Sequence, residues 1–194
     1  MNPRRFSFAC LTGLTLCLPV AAAAPAAGTS YKIDPVHTSV VFRIKHAGVS
    51  YFYGRFNKVA GSFAFDKADP KKAGFDVRIR ADSVDTNDRK RDQHLKSPDF
   101  FNAKEFPTIS FKSRSVESAD SESLRVTGDL SLHGVTKSIT VEMKHVGSTS
   151  GPRGAKCGFE ATFTISRSEF GITYGAGALG DDVTLMVGLE GDAQ

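Results

Sequence analysis

The side chains with chemical reach are few and scattered: His37, His46, His94, His133 and His145, the thiol of Cys157, and one charged run in which Arg91, Asp92 and His94 fall within four residues. A metal needs donors that converge, commonly closely spaced His and Cys pairs. These histidines offer no close pair and no accompanying thiol cluster, so no metal is expected. His133 before Gly134 reads as part of a hairpin turn, and His37 as a hydrogen-bonding residue near the N-terminal strand. Ser131 and Ser166 sit in strand-like stretches without the sharp GxSxG turn that presents a nucleophile. Asp92 with His94 is the acid–base pairing a hydrolase would use, yet residues two apart on a short helix point in different directions. Gly175-Ala176-Gly177-Ala178-Leu179-Gly180 spells the GxGxxG dinucleotide fingerprint. That fingerprint works only between the strand and helix of a βαβ unit, with an acid about 20 residues on. Here a strand pattern follows and the chain ends too soon, so the segment reads as a loop and no cofactor is expected. Two roles remain for the charged run. Asp92 and His94 can tie it to a rim, or His46, Arg91 and His94, with Arg55 as a fourth, can donate hydrogen bonds to a polar group at an opening.

These residues must be positioned by strands, because apolar residues recur with period two through most of the chain. Over 36–46 the inward face carries Val36, Thr38, Val40, Phe42, Ile44 and His46. Phe75, Val77, Ile79 and Ala81 alternate with Asp76, Arg78, Arg80 and Asp82, which leaves no doubt about the water side. Further strands are expected over 55–66 with Val59, Phe63 and Phe65 inward, 108–116 with Ile109 and Phe111, and 124–132. Ile139, Val141 and Met143 mark a sixth, Cys157, Phe159, Ala161, Phe163 and Ile165 a seventh, and 183–189 an eighth. Turn chemistry separates them at Asp69-Pro70, 121–123, His133-Gly134, 147–154 and 175–180. Connections this short favour antiparallel neighbours. Eight strands with one apolar face each bury those faces and lose their edges together by closing into a barrel.

The segment 85–107 breaks the pattern. Thr86 is read as an N-cap with Asp88 in the first turn of a helix of about two turns. Ser97-Pro98 is read as the start of a second, with Pro98 at its first position. Phe100, Phe101 and Phe106 supply apolar weight, and Pro107 returns the chain to extended form. An all-β chain gains no sheet pairing from such an insert, so it reads as a plug or lid over one end of the barrel.

Arg4 and Arg5, an apolar stretch over 6–20 and alanines at 21–24 have the layout of a cleaved secretory signal, with the cut expected after Ala23. Export to the periplasm or beyond is the expected localisation. A soluble domain over 24–194 is expected to follow, since no later apolar run approaches the roughly 18 residues of a membrane span. Cys10 and Cys17 leave with the signal, and Cys157 alone cannot form an internal disulfide, so burial must stabilise the fold. The remaining chain, roughly 170 residues, suits one domain with a full core. Losing Arg4 and Arg5 lowers the 25 basic residues to 23 against 21 acidic, and so weak a bias without a basic block argues against nucleic acid.

An eight-stranded barrel is filled by side chains or holds one small ligand. With 15 Phe, no Trp and small residues such as Ala81, Gly61 and Ala161 among the inward positions, composition alone leaves both readings open. Signal, barrel and lid together favour a cavity. The residues also carry a resemblance. The stretch 31–42, Ile44-Lys45-His46, Gly54-Arg55-Phe56, 91–101 (RDQHLKSPDFF), Phe106-Pro107, 128–137 (GDLSLHGVTK), 166–171 (SRSEFG) and 180–183 (GDDV), all in order, resemble the YceI family of exported lipocalin-like proteins.

That resemblance implies an all-β, eight-stranded antiparallel lipocalin-like barrel with a short helical lid. It implies a lipid-binding protein, not an enzyme, whose apolar tunnel takes a polyisoprenoid, an isoprenoid quinone or another long amphiphile. The tunnel would be lined by Val40, Phe42 and Ile44, by Phe63 and Phe65, by Phe75, Val77 and Ile79, by Phe111, and by Phe159 and Phe163. His46, Arg55, Arg91 and His94 would form a polar mouth, with Phe100 and Phe101 in the lid. A hydrolase built on His94 and Asp92 and an interaction module with a filled barrel are the alternatives. Transient membrane contact and a homodimer stay open.

Overall fold

In a computed structural model, residues 28–152 and 154–194 are described, so the signal expected at 1–23 lies outside the described residues. Eleven strands form among the described residues: β1 (Thr29–Ile33), β2 (Ser39–His46), β3 (Ser50–Phe56), β4 (Val59–Phe65), β5 (Gly74–Arg80), β6 (Val84–Asp85), β7 (Thr108–Ser118), β8 (Ser123–Leu132), β9 (Val135–Thr149), β10 (Lys156–Ser166) and β11 (Leu179–Ala193). The ring β1-β4-β5-β7-β8-β9-β10-β11 closes on itself through β1 and β11, every pair antiparallel. β2, β3 and β6 carry on where β1, β4 and β5 leave off, β2 beside β11 and β3 beside β2, with β6 beside β3. The result is a closed barrel of eight staves, three of them broken in the middle.

The breaks are where the sequence misled. The strand expected from Val36 begins at Ser39, because Asp34 accepts a 2.8 Å hydrogen bond from the Val36 N–H and curls 34–38 into a turn. Val36 is therefore 80 % exposed, not inward. The strand expected over 55–66 is two strands parted at Asn57-Lys58, and its first half reaches back to Ser50. The run Tyr51-Phe52-Tyr53 is aromatic on both faces, which hides the period.

Large rings are accommodated by glycines across the sheet. A Cβ on Gly54 would stand 2.3 Å from Phe42 Cζ, and one on Gly128 would stand 2.7 Å from Phe111 Cζ, so only a bare backbone lets these rings lie against the wall. Hairpins are tight where left-handed residues permit. His133 (φ 53°) and Gly134 (φ 76°) join β8 to β9 directly, in a two-residue turn whose twist matches the strands.

The insert contains one helix, α1 (Arg89–Lys96). Asp88, not Thr86, caps it, accepting from the Arg91 N–H at 2.8 Å. That bond to the helix N-terminus holds the Asp88 carboxyl below its ordinary value. The second helix expected at Ser97 is instead a compact turn, closed by Phe101 N–H to Leu95 O (2.9 Å) and Ala103 N–H to Lys96 O (3.0 Å).

Candidate functional site

The barrel interior is divided. At one end Phe159 is met edge-on by Phe63, Phe65 and Phe75 at 5.6, 5.0 and 5.3 Å, while Tyr31 stacks on Phe63 at 5.1 Å. His145 leans on Phe65 and Phe159, and burial pushes its pKa down. Phe63, Phe65, Phe75 and Phe159 are at most 5 % exposed. These four were expected to line a tunnel; they close it instead. Edge-to-face aromatic pairs at these distances add to their area burial, so the end fills.

Above this floor lies a cavity of about 500 Å³, walled almost wholly by apolar side chains. Val40, Phe42 and Ile44 of β2, Val77 and Ile79 of β5, Phe111 of β7 and Phe163 of β10 all face it, as their alternation predicts. Leu130, Leu132, Val141, Met143, Ala161, Leu185, Val187 and Leu189 complete the wall from the later strands. The volume is within the range of pockets that take a drug-sized molecule.

The insert roofs the cavity. Phe101 packs edge-on against Phe56 at 5.4 Å, and Phe100 meets His94 (5.0 Å) and Tyr174 (5.2 Å). Both rings and Leu95 face the interior. α1 buries no residue completely, so these half-buried contacts, with the bonds of Arg91 and Asp92 to the buried Thr86, hold it down. The mouth beside it is bounded by His46 and Phe52 of the β2–β3 hairpin, by Arg91 and His94 of α1, and by Tyr174. Arg91 donates from Nε to Thr86 Oγ1 (2.9 Å) and from Nη2 to Thr86 O (2.7 Å), with its guanidinium 4.2 Å from the centre of the Phe52 ring. Arg55 does not reach the mouth. It points outward and donates to Asn57 Oδ1 at 2.6 Å, because odd positions of β3 face water.

The hydrolase pairing does not form. Asp92 Oδ1 accepts from the Thr86 N–H (2.9 Å) and hydroxyl (2.5 Å), while His94 Nε2 meets Asp99 Oδ2 at 2.8 Å. Among the described residues no hydroxyl or thiol is hydrogen-bonded to His94.

Sequence reading passed over Arg167. It is 6 % exposed and borders the cavity, and it donates to the carbonyls of Gly180 (2.9 Å), Ile172 (2.9 Å) and Tyr174 (2.8 Å), so it ties the loop 171–179 to the rim. Among the described residues no carboxylate stands within ion-pairing distance of it. The signal was present in Ser166-Arg167-Ser168, where the charged residue falls two positions after the inward-facing Ile165, on the same face, just past the end of a strand.

Asp34, His37 and Glu190 also converge, close enough to surround a metal ion. The Lys156 ammonium already lies 2.9 Å from Glu190 and 3.6 Å from Asp34, so the cluster is a closed ion-pair network. His37 as a hydrogen-bonding residue fits it: Nδ1 meets Asp34 Oδ2 at 2.7 Å. That bond and the Val36 N–H pull the Asp34 carboxyl down to about 2, and the same carboxylate raises His37.

Comparison with known proteins agrees with this architecture. A family model described as a YceI-like domain matches residues 31–191. Protein YceI of Escherichia coli O157:H7 and a UPF0312 protein of Pseudomonas aeruginosa are each 41 % identical over 187 residues, covering 95 % of this chain and 97 % of the relative. The crystal structure of the Campylobacter jejuni YceI protein superposes with a TM-score of 0.67 at 32 % identity, over 77 % of this chain and 90 % of that one. BcnA of Burkholderia cenocepacia shares the fold with a TM-score of 0.75 at 23 % identity, over 81 % and 98 % of the two chains. A polyisoprenoid-binding domain from Saccharophagus degradans shares it with a TM-score of 0.67 at 13 % identity, over 86 % and 99 %. With the family model and full-length relatives in agreement, the chain belongs to the YceI family.

Proposed function

We propose that this protein is a carrier for one long amphiphile of the polyisoprenoid or isoprenoid-quinone kind, held with its chain in the barrel and its polar end at the mouth. The observation that carries the reading is the apolar cavity of about 500 Å³ left open between an aromatic floor and a half-buried roof. A filled interior, which an interaction module needs, is not what this barrel has. At roughly 30 Å³ per heavy atom, the share of one water in the liquid, the cavity encloses on the order of 17 heavy atoms, or about three isoprene units. Each unit buried is worth about 4 kcal/mol gross at ~0.8 kcal/mol per carbon, before ordering costs. The remainder of a longer chain passes out through the mouth.

Arg91, His94 and His46 are the donors within reach of a polar head there, and none of them is arranged for catalysis, so the reading is of binding without turnover. The basic, apolar and small-residue layout of 1–23 supports export, and a carrier outside the cytoplasm is the role that fits. The neighbour named for polyisoprenoid binding supports the ligand class through the shared fold.

Organic extraction of the purified protein followed by mass spectrometry tests this. A stoichiometric lipophilic molecule with a chain of at least about three isoprene units is expected. Repeated recovery of none, with no uptake of added prenyl alcohols, overturns the reading.

A further inference from the structure

The exterior of the mouth has a chemistry that the cavity does not require. Among the described residues, Val49, Tyr51, Tyr53 and Tyr174 are 84, 54, 51 and 50 % exposed, and they are four of the six large apolar side chains left so open. Val49, Tyr51 and Tyr53 belong to the β2–β3 hairpin and Tyr174 to the loop 171–179. Val49 is at the tip of the β2–β3 hairpin, where Ala47 and Gly48 turn the chain with positive φ. The Ala47 N–H donates to Ala178 O at 2.7 Å, which joins this tip to the loop 171–179 in one continuous lip. Neither 47–54 nor 171–180 contains a Lys, Arg, Asp or Glu.

On the hairpin behind the lip the charged side chains, Arg43, Lys45 and Arg55, are all basic. On the outer face of the hairpin Lys45 stands opposite Tyr51 and Arg43 opposite Tyr53, and Arg43 lies over the Tyr51 ring at 4.5 Å. Arg55 continues the row, and no carboxylate occurs anywhere in 39–56. Acids flank the hairpin without entering it: Asp181 and Asp182 accept from Ser168 and Ser166, Asp85 stands opposite Arg55, and Asp99 pairs with His94. An uncharged apolar tip backed by tyrosines and cations side by side on one outer face matches the layering of a membrane–water interface. There, aromatic rings sit at headgroup depth and Lys or Arg meets anionic phosphates. Exposed apolar patches rimmed by polar residues mark interaction sites, and the cationic collar chooses an anionic surface.

We propose that this lip is a docking surface for an anionic lipid bilayer, with 47–49 and the loop 171–179 entering the headgroup layer so that the mouth opens onto the membrane. The geometry stands by itself; its purpose, passage of a ligand between bilayer and barrel, rests on the carrier reading. Flotation with vesicles of phosphatidylcholine alone, or of phosphatidylcholine mixed with phosphatidylglycerol, tests it on wild type and on Val49→Asp/Tyr53→Asp. Neither substituted residue faces the cavity. Wild type is expected to float with the phosphatidylglycerol vesicles and to be released by added salt, as screening of exposed charge requires. The variant is expected to lose at least tenfold in partitioning while still taking up a fluorescent prenyl analogue from solution. The proposal is overturned if wild type stays unbound, if the variant floats equally well, or if the lip instead mediates self-association that the same changes abolish. Failure of wild type to take up the analogue counts against the carrier reading alone.

Discussion

Replacing Phe100 and Phe101 together by Ala removes the two rings that roof the cavity while leaving the sheet ladder untouched. A buried Phe covers 150–250 Å², so a half-buried ring turns roughly 100 Å² toward ligand and neighbours, about 2.5 kcal/mol at ~25 cal/mol per Å². Both rings together are worth on the order of 5 kcal/mol gross. Part of this is packing against Phe56, His94 and Tyr174, which survives in the free protein only as stability of the insert. About 1.5–3 kcal/mol then remains for retention, which predicts release faster by roughly tenfold to a hundredfold. Stopped-flow dissociation of a fluorescent prenyl analogue, chased with excess unlabelled ligand, measures the rate, and circular dichroism monitors the sheet. An insert of this kind, held by half-buried contacts, belongs to the low-stability part of a structure. If the double variant unfolds the barrel while release from its folded fraction keeps the wild-type rate, the insert is a core plug and the reasoning fails.

Phe159→Ala acts on the opposite end: at 1 % exposure among four aromatic rings, its loss should cost about 3–5 kcal/mol in denaturant unfolding. Phe163→Ala, on a half-buried residue facing the cavity, should cost clearly less. Gly54→Ala places a Cβ 2.3 Å from the Phe42 ring, which must tilt into the cavity; affinity for a prenyl analogue should fall about tenfold by titration with little change in melting temperature. The pair Asp34–His37 gives stability a defined pH window. His37 is raised, so its contribution is complete below the ordinary imidazole value and fades as pH rises through the elevated one. Asp34 is held at about 2, so its contribution is present above the ordinary carboxyl value and fades as pH falls toward 2. The melting-temperature gap between wild type and His37→Gln should therefore be widest in the weakly acidic range and narrow on both sides; a gap independent of pH contradicts the ion-pair account.

Much of this architecture is legible in the residues because alternation reports directly which face is buried. Phe75, Val77, Ile79 and Ala81 against four charged neighbours leave one register for β5, and seven further stretches mark the other staves, while β1, which alternation did not single out, closes the ring between β4 and β11. What alternation does not report is height along the barrel. Phe63, Phe65, Phe75 and Phe159 face inward as surely as Phe42 and Phe111 do, yet the first four meet one another and form a floor. That distinction depends on the stagger between strands, which no single strand encodes. Arg55 misled for a related reason: its chemistry suits a mouth, but its odd position on β3 sends it outside. Cap chemistry was ambiguous where Thr86 and Asp88 compete, and the winner leaves Thr86 to bond Asp92 and Arg91. Arg167 escaped notice because alternation marks 167 as the next inward position after Ile165 but does not report the three carbonyls that hold its charge there.

The central claim is that the upper barrel, and not the lower, takes an apolar chain, and isoleucine methyl NMR reads both at once. Ile44, Ile79, Ile109, Ile165 and Ile172 face the cavity, whereas Ile33 of β1 does not. Titration with farnesol, a three-unit prenyl alcohol, is expected to shift the first five methyl signals and saturate at one ligand per chain, leaving Ile33 in place. Unmoved cavity methyls at saturating farnesol, or shifts led by Ile33, would contradict the account.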